Sequence, residues 1–331
     1  METAARSGIV VRIIAAGLFL ASCAGPAAQP VAPAEPAVAA PPVIAETPPP
    51  PEPVAPPPPA PTLACGGPAT QGGAIWCNTS PGATVSLDGA PTARADGGGV
   101  AIIGLKRDAP AQVKISARPP ESDYDISATV DVLPRHDKVS SFTMECGKIA
   151  PQSAEDKRRA EVAWLKKDKA LKSFNDPQAA FALQGPVRME GVAYSSSFGA
   201  TRTYVPKTKA CEPKTNVHNG TDIAVGTGTE IRAPMSGTVI LADPDLFYEG
   251  GCVFLDLGRG LISVTMHMSR IDVKPGDRVE QGQLLGLSGA TGSVTGPHLH
   301  WAIKYRNVFS EDRGTDIWLD PMLLMGLKSP S

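Results

Sequence analysis

Sixteen prolines fall between residues 26 and 61, and nearly everything between them is Ala, Val or Glu. Runs such as "PPPPEP" (48–53) and "PPPPAP" (56–61) hold the backbone near φ −65° and withdraw the amide donors that helices and sheets need. Such a stretch buries too little apolar surface to offset the entropy of ordering it. Any packed core must therefore begin after residue 61. The stretch itself reads as a stiff, extended spacer. At ~3.1 Å per residue its 36 residues reach on the order of 110 Å.

What precedes the spacer explains why one is needed. Arg6 and Arg12 give a positive start, and "IIAAGLFL" (13–20) is an apolar run too short to span a bilayer. It ends in "LASC" (20–23), which resembles a bacterial lipobox. The expected processing is cleavage before Cys23 and acylation of its thiol, so residues 1–22 form a lipoprotein signal peptide and 23–61 a lipidated tether. This makes the chain an exported, periplasmic lipoprotein. Ala24 after the cysteine leans toward outer-membrane anchoring. With Cys23 acylated, five cysteines remain, at 65, 77, 146, 211 and 252, so at least one stays unpaired within the chain. The formal net charge of −2 gives no footprint for nucleic acid.

Residues 62–148 alternate short apolar runs with turn signals. "ATVSLDGA" (83–90), "GVAIIGL" (99–105), "AQVKISA" (111–117), "YDISATVDV" (124–132) and "VSSFTME" (139–145) read as strands. The expected unit is a small β-sandwich-like domain of unassigned role, with a surface open to cell-wall or division-complex proteins. His136, in "PRHDK", reads as a solvated loop residue. Residues 149–179 form a connecting segment whose helix, over 153–176, is capped by Ser153 and followed by Pro177. Val162, Leu165, Leu171 and Phe174 suggest its apolar stripe. Seven Lys/Arg against four Asp/Glu from 153 to 175 suit a solvated face or contact with an anionic polymer.

From residue 180 to 331 the texture becomes Gly-punctuated β, with strands expected in 230–243, 250–258, 260–270, 283–289 and 298–305. An antiparallel β domain with a groove follows. Four of the chain's five histidines lie here. "HNGTD" places His218 and Asp222 four apart, but Gly220 and β-branched Thr221 argue for a loop entering a strand rather than a helix. In "TGPHLHW" (295–301), strand alternation turns His298 and His300 to one face, about 7 Å apart at Cα. "TMHMS" sets His267 in an apolar strand. Two neutral imidazoles, a carboxylate and an open position are a common way to hold catalytic zinc. Zinc lowers the pKa of a bound water to about 7, and the remaining histidines are free for proton transfer and charge stabilisation.

H-x-x-x-D, a strand histidine, then G-P-H-L-H-W resembles the lysostaphin/LytM-type zinc endopeptidases of peptidoglycan. "SSSFGATRTY" (195–204), "TDIAVGTGTEIRAPMSGTVI" (221–240), the stretch 268–303 and "LDP" (319–321) are similar to other segments of that family. The resemblance covers roughly residues 180–325. It implies a duplicated-hybrid-motif, LytM-like β groove, and one Zn2+ per chain on His218, Asp222 and His300. It makes His267 and His298 the non-ligand catalytic pair, a general base and an oxyanion stabiliser in either order. The implied substrate is the peptide stems of peptidoglycan, cut at D-Ala–diaminopimelate. The alternative is a catalytically silent regulator or adaptor of other wall hydrolases. Two departures stand out: Thr265-Met266 replace the usual Tyr-x before the strand histidine, and "VPKTKACEPKTN" (205–216) is long. A Cys211–Cys252 disulfide is expected to pin that long loop.

Overall fold

The computed structural model describes residues 62–330; the expected signal peptide, Cys23 and the proline-rich spacer lie outside the described residues. The chain is mainly β, with antiparallel sheets predominating. The amino-terminal part has two sheets. One orders Leu63–Gly66, Ala74–Thr79 and Val100–Gly104. The other orders Ala90–Arg94, Thr84–Leu87, Gln112–Arg118 and Ile126–Asp131. Gln112–Arg118 shows why they close on each other: Val113, Ile115 and Ala117 point inward and the polar residues between them outward. They meet Ile75, Val85, Ile103 and Leu105 in one core.

The next strand is where the expected boundary at 148 fails. Val139–Met144 leaves those sheets and pairs in parallel with Thr201–Pro206, which also pairs with Lys214–Val217. Its sequence is a good strand, but a strand's partner is set by tertiary context that its own residues do not encode. Residues 139–144 thus belong with the carboxy-terminal half. The two halves also share apolar core, since Ala74 and Ile102 pack in one cluster with Val253, Leu261, Trp301 and Ile303.

The carboxy-terminal half is built on an eight-stranded sheet. Its main path runs Arg278–Val279, Gly237–Leu246, Gly250–Gly258, Leu261–Met268, Leu299–Tyr305, Thr221–Ala224 and Ala193–Ser196, and Ile317–Leu319 pairs beside Leu299–Tyr305. All nine residues of Gly250–Gly258 are buried, because both faces of the sheet are covered. Leu299, Trp301 and Ile303 face the shared core. Ala302 faces the other side, with Phe254 and Val264, beneath a helix.

That helix is Ala154–Ala170, shorter than the 153–176 expected. Ser153 caps it, and Asp156 closes a capping box by accepting from the Ser153 amide. Of the anticipated stripe Leu171 is buried but Val162, Leu165 and Phe174 are exposed, and Ala163 and Ala170 complete the buried face. Small side chains let the helix lie close on the sheet. Ala163, Ala170 and Leu171 pack on Leu241, Leu246 and Phe254, and ion pairs of Arg159 with Asp245, Lys166 with Asp243 and Lys167 with Glu249 flank that contact. No helix among the described residues is long and apolar enough to cross a membrane.

The cysteines also depart from expectation. Cys211 pairs with Cys146, not Cys252, and Cys65 pairs with Cys77. Cys252 sits fully buried in the central sheet as a free thiol. The disulfide therefore ties the end of the 139–144 strand to the hairpin before His218.

Candidate active site

Three side chains meet near one end of the long sheet. Thr221–Ala224 lies antiparallel to Leu299–Tyr305, with Asp222 directly opposite His300. Cross-strand neighbours in such a pair are held within contact distance. His218 arrives from the turn between Lys214–Val217 and Thr221–Ala224. Its amide donates to the Ala200 carbonyl, and its own carbonyl accepts from the Gly199 amide. Gly220 makes the turn possible: a Cβ there would stand 2.6 Å from His300 Nε2 and 2.6 Å from the Trp301 carbonyl oxygen.

His218 Nε2, Asp222 Oδ1 and His300 Nδ1 form a tight triangle with sides of 3.1, 2.9 and 3.0 Å. All three residues are buried. The other ring nitrogen of His218, Nδ1, lies 2.9 Å from the Ser197 carbonyl oxygen, which can only accept. The proton of a neutral His218 is therefore on Nδ1, and Nε2 presents a lone pair to Asp222 and to His300. Lone pairs facing a carboxylate need a proton or a cation between them. Burial pushes the His218 pKa down, which disfavours the proton. Burial also opposes ionisation of Asp222, yet the two imidazoles beside it hold its carboxyl well below the usual carboxylate range. A divalent cation fits this donor set of two imidazoles and one carboxylate, all on one centre.

Two more imidazoles stand alongside. The His267 and His298 ring centroids are 4.9 Å apart, and His267 is 6.0 Å from His300. His267 occupies the left-handed region at φ 66°, a conformation uncommon for a residue with a side chain. Its Nδ1 donates to the Thr291 carbonyl at 3.0 Å. Burial, with His300 and His298 adjacent, pushes its pKa down to about 3, so it rests neutral. His298 Nδ1 donates to the Gly296 carbonyl at 2.8 Å, and its Nε2 faces Asp222 Oδ1 at 3.7 Å. Both rings thus keep Nε2 free. His136, the remaining histidine, does not line this cleft.

One contributor was missed by the sequence reading. Arg202, in Thr201–Pro206, donates from Nη2 to Asp222 Oδ2 at 2.5 Å, leaving Oδ1 to the histidines. Its guanidinium lies 5.6 Å from the Phe142 ring centroid. The signal was its place in "SSSFGATRTY", a segment already set apart as family-like. The five residues form the floor of a cleft of about 680 Å3, walled by Phe142, Ile149, Tyr204, Tyr248, Val294 and Pro297 among others.

Residues 216–311 match peptidase family M23. Peptidoglycan DD-endopeptidase ShyA of Vibrio cholerae is 40% identical over 112 residues, 34% of this chain and 25% of that protein. Lysostaphin of Staphylococcus simulans is 36% identical over 101 residues, 30% of this chain and 20% of lysostaphin. A solved Pseudomonas aeruginosa chain assigned to peptidase M23 superposes with a TM-score of 0.55 at 28% identity, covering 78% of this chain and 95% of its own. The chain spans about a quarter of the length of the curated relatives it matches first. All five cleft residues named from the sequence, His218, Asp222, His267, His298 and His300, lie within the matched stretch, and over residues 216–311 this chain carries a peptidase family M23 domain.

Proposed function

We propose that the chain is a zinc-dependent endopeptidase that hydrolyses peptide cross-links of bacterial peptidoglycan, with the D-Ala–diaminopimelate bond as its target. One observation carries the reading: two imidazole nitrogens and one carboxylate oxygen converge in the cleft floor, with two neutral imidazoles beside them that the triangle does not use. A silent regulator would have no need of that second pair. The name of relatives such as peptidoglycan DD-endopeptidase ShyA supports the substrate class.

His218, Asp222 and His300 would hold the zinc. Bound there, it would supply Lewis acidity that makes water acidic enough to ionise near neutral pH. Everything else falls to the chain. His298 is the more accessible of the free pair, with 17% of its side chain exposed, and its Nε2 lone pair faces the triangle. It takes the proton from the attacking water and returns it to the leaving amine. His267, its Nδ1 proton given to the Thr291 carbonyl, turns a second Nε2 lone pair into the cleft beside His298, where it accepts a hydrogen bond from the attacking water and holds it for His298. Arg202 keeps Asp222 Oδ2 engaged, so that a single carboxylate oxygen is presented.

The leader, Cys23 and the spacer support the remainder of the proposal: an exported lipoprotein, tethered by its acylated cysteine to the outer membrane, that reaches into the wall. The test uses the full chain, with zinc measured by elemental analysis and purified sacculi as substrate. Release of uncross-linked muropeptides, abolished by chelator, is expected. His298→Ala should retain zinc and lose cleavage, whereas His300→Ala should lose both. Full zinc without any wall cleavage would overturn the proposal in favour of a regulator.

A further inference from the structure

Part of the cleft is built by residues upstream of the M23 match. Phe142, Met144, Lys148 and Ile149 line it, as do Val294, Pro297 and His298 of the loop they touch. This short segment is held at several points. Val139–Met144 is paired along its length with Thr201–Pro206. Cys146 is bonded to Cys211. Lys148 Nζ donates to the Val294 carbonyl at 2.6 Å, and Ser293 Oγ donates to the Lys148 carbonyl. A turn fixed this firmly keeps one shape against a substrate.

The charges that line the cleft are unevenly spent. Arg202 is taken by Asp222, and Glu249 by Lys167. Lys148 and Lys214 remain. Both are exposed, and among the described residues neither forms an ion pair with a carboxylate. The Lys148 ammonium gives one of its three protons to Val294 and has two left. Lys214 rests 5.9 Å from the Tyr248 ring centroid, which orients it without neutralising it.

We infer that residues 142–149 are a wall of the substrate groove, and that Lys148 and Lys214 read a free carboxylate on the bound peptide. This rests on the endopeptidase reading and adds a selectivity to it: peptides with a carboxylate near the scissile bond are preferred over the same peptides with a carboxamide there.

The test compares two soluble cross-linked peptides that differ only in that group, using the zinc-loaded full chain. The wild type should favour the acid through KM. Lys148→Gln and Lys214→Gln should each raise KM for the acid peptide roughly two- to five-fold, the size of an exposed ion pair, and erase the preference. Cys146→Ser with Cys211→Ser, which frees the wall, should move KM the same way. Equal use of both peptides by the wild type, or an equal loss on both in the lysine variants, overturns the inference. So does faster turnover of both on freeing the wall, which would make the segment a cover. Peptide binding is measured in parallel by calorimetry. A wild type that cleaves neither peptide refutes the endopeptidase reading, and its binding preference, present or absent, still decides this one.

Discussion

Arg202→Met tests how the site is held together. Arg202 and Asp222 are 11% and 9% exposed at their side chains, and Nη2 and Oδ2 are 2.5 Å apart. Charge centres about 4 Å apart at an effective dielectric near 20 attract by about 4 kcal/mol. Burying both ions costs a comparable amount, so the intact pair contributes little net stability. Removing only the arginine is different, because the buried carboxylate then has lost its partner. Breaking such a pair from one side costs about 3–5 kcal/mol. The metal-free protein should therefore lose that much unfolding free energy in urea, with chelator present throughout. Adding Asp222→Asn should recover a large part of it, since no uncompensated charge remains. The double-mutant cycle isolates that coupling. A single-variant loss below about 1 kcal/mol, or strictly additive losses in the cycle, would refute the argument that Asp222 depends on Arg202.

Three further outcomes are expected. Gly220→Ala drives a methyl group into His300 and the Trp301 carbonyl; it should cost about 1–3 kcal/mol of stability and lower zinc occupancy, read by thermal melting and elemental analysis. Burial raises the Tyr305 phenol from 10 to about 12, against an opposing hydrogen bond to Thr92. The unfolded phenol ionises first, so this stability is complete below pH 10 and is lost between pH 10 and 12, by about 3 kcal/mol. Tyr305→Phe should remove that part of the slope, and an unchanged slope in urea titrations would exclude it. Burial pushes the Cys252 thiol well above its usual range; it should resist alkylation until the chain unfolds, while non-reduced digests yield Cys65–Cys77 and Cys146–Cys211 peptides.

Local chemistry was legible in the sequence and long-range pairing was not. The alternation of "HLH" set two imidazoles on one face because a strand's period of two needs no tertiary information. Gly220 and Thr221 correctly spoke against a helix at "HNGTD", and the chain enters a strand there. Ser153 marked the start of the helix. Its buried face was only partly read, because the helix packs through Ala163 and Ala170 beside Leu171 and leaves Val162 and Leu165 outside. The partner of Val139–Met144 lies some sixty residues on, and nothing in "VSSFTME" names it. Cys211 had several cysteines to choose from, and only the fold decides which comes within bonding distance. Arg202 was hidden for the same reason: its role depends on the strand that delivers it to Asp222.

The shared core between the two halves bears on how this chain can evolve. Gly104 in the amino-terminal sheet lies so close to Tyr305, on the strand that carries His300, that a Cβ there would stand 2.7 Å from the ring. The phenol hydroxyl reaches across to the Thr92 carbonyl. A recombination event that swapped the front sheets for an unrelated domain would bare Trp301 and its neighbours, or jam a side chain against that tyrosine. The amino-terminal sheets and the sheet that carries His300 are therefore packed as one unit, and substitutions on either side of the seam should be tolerated only when matched on the other.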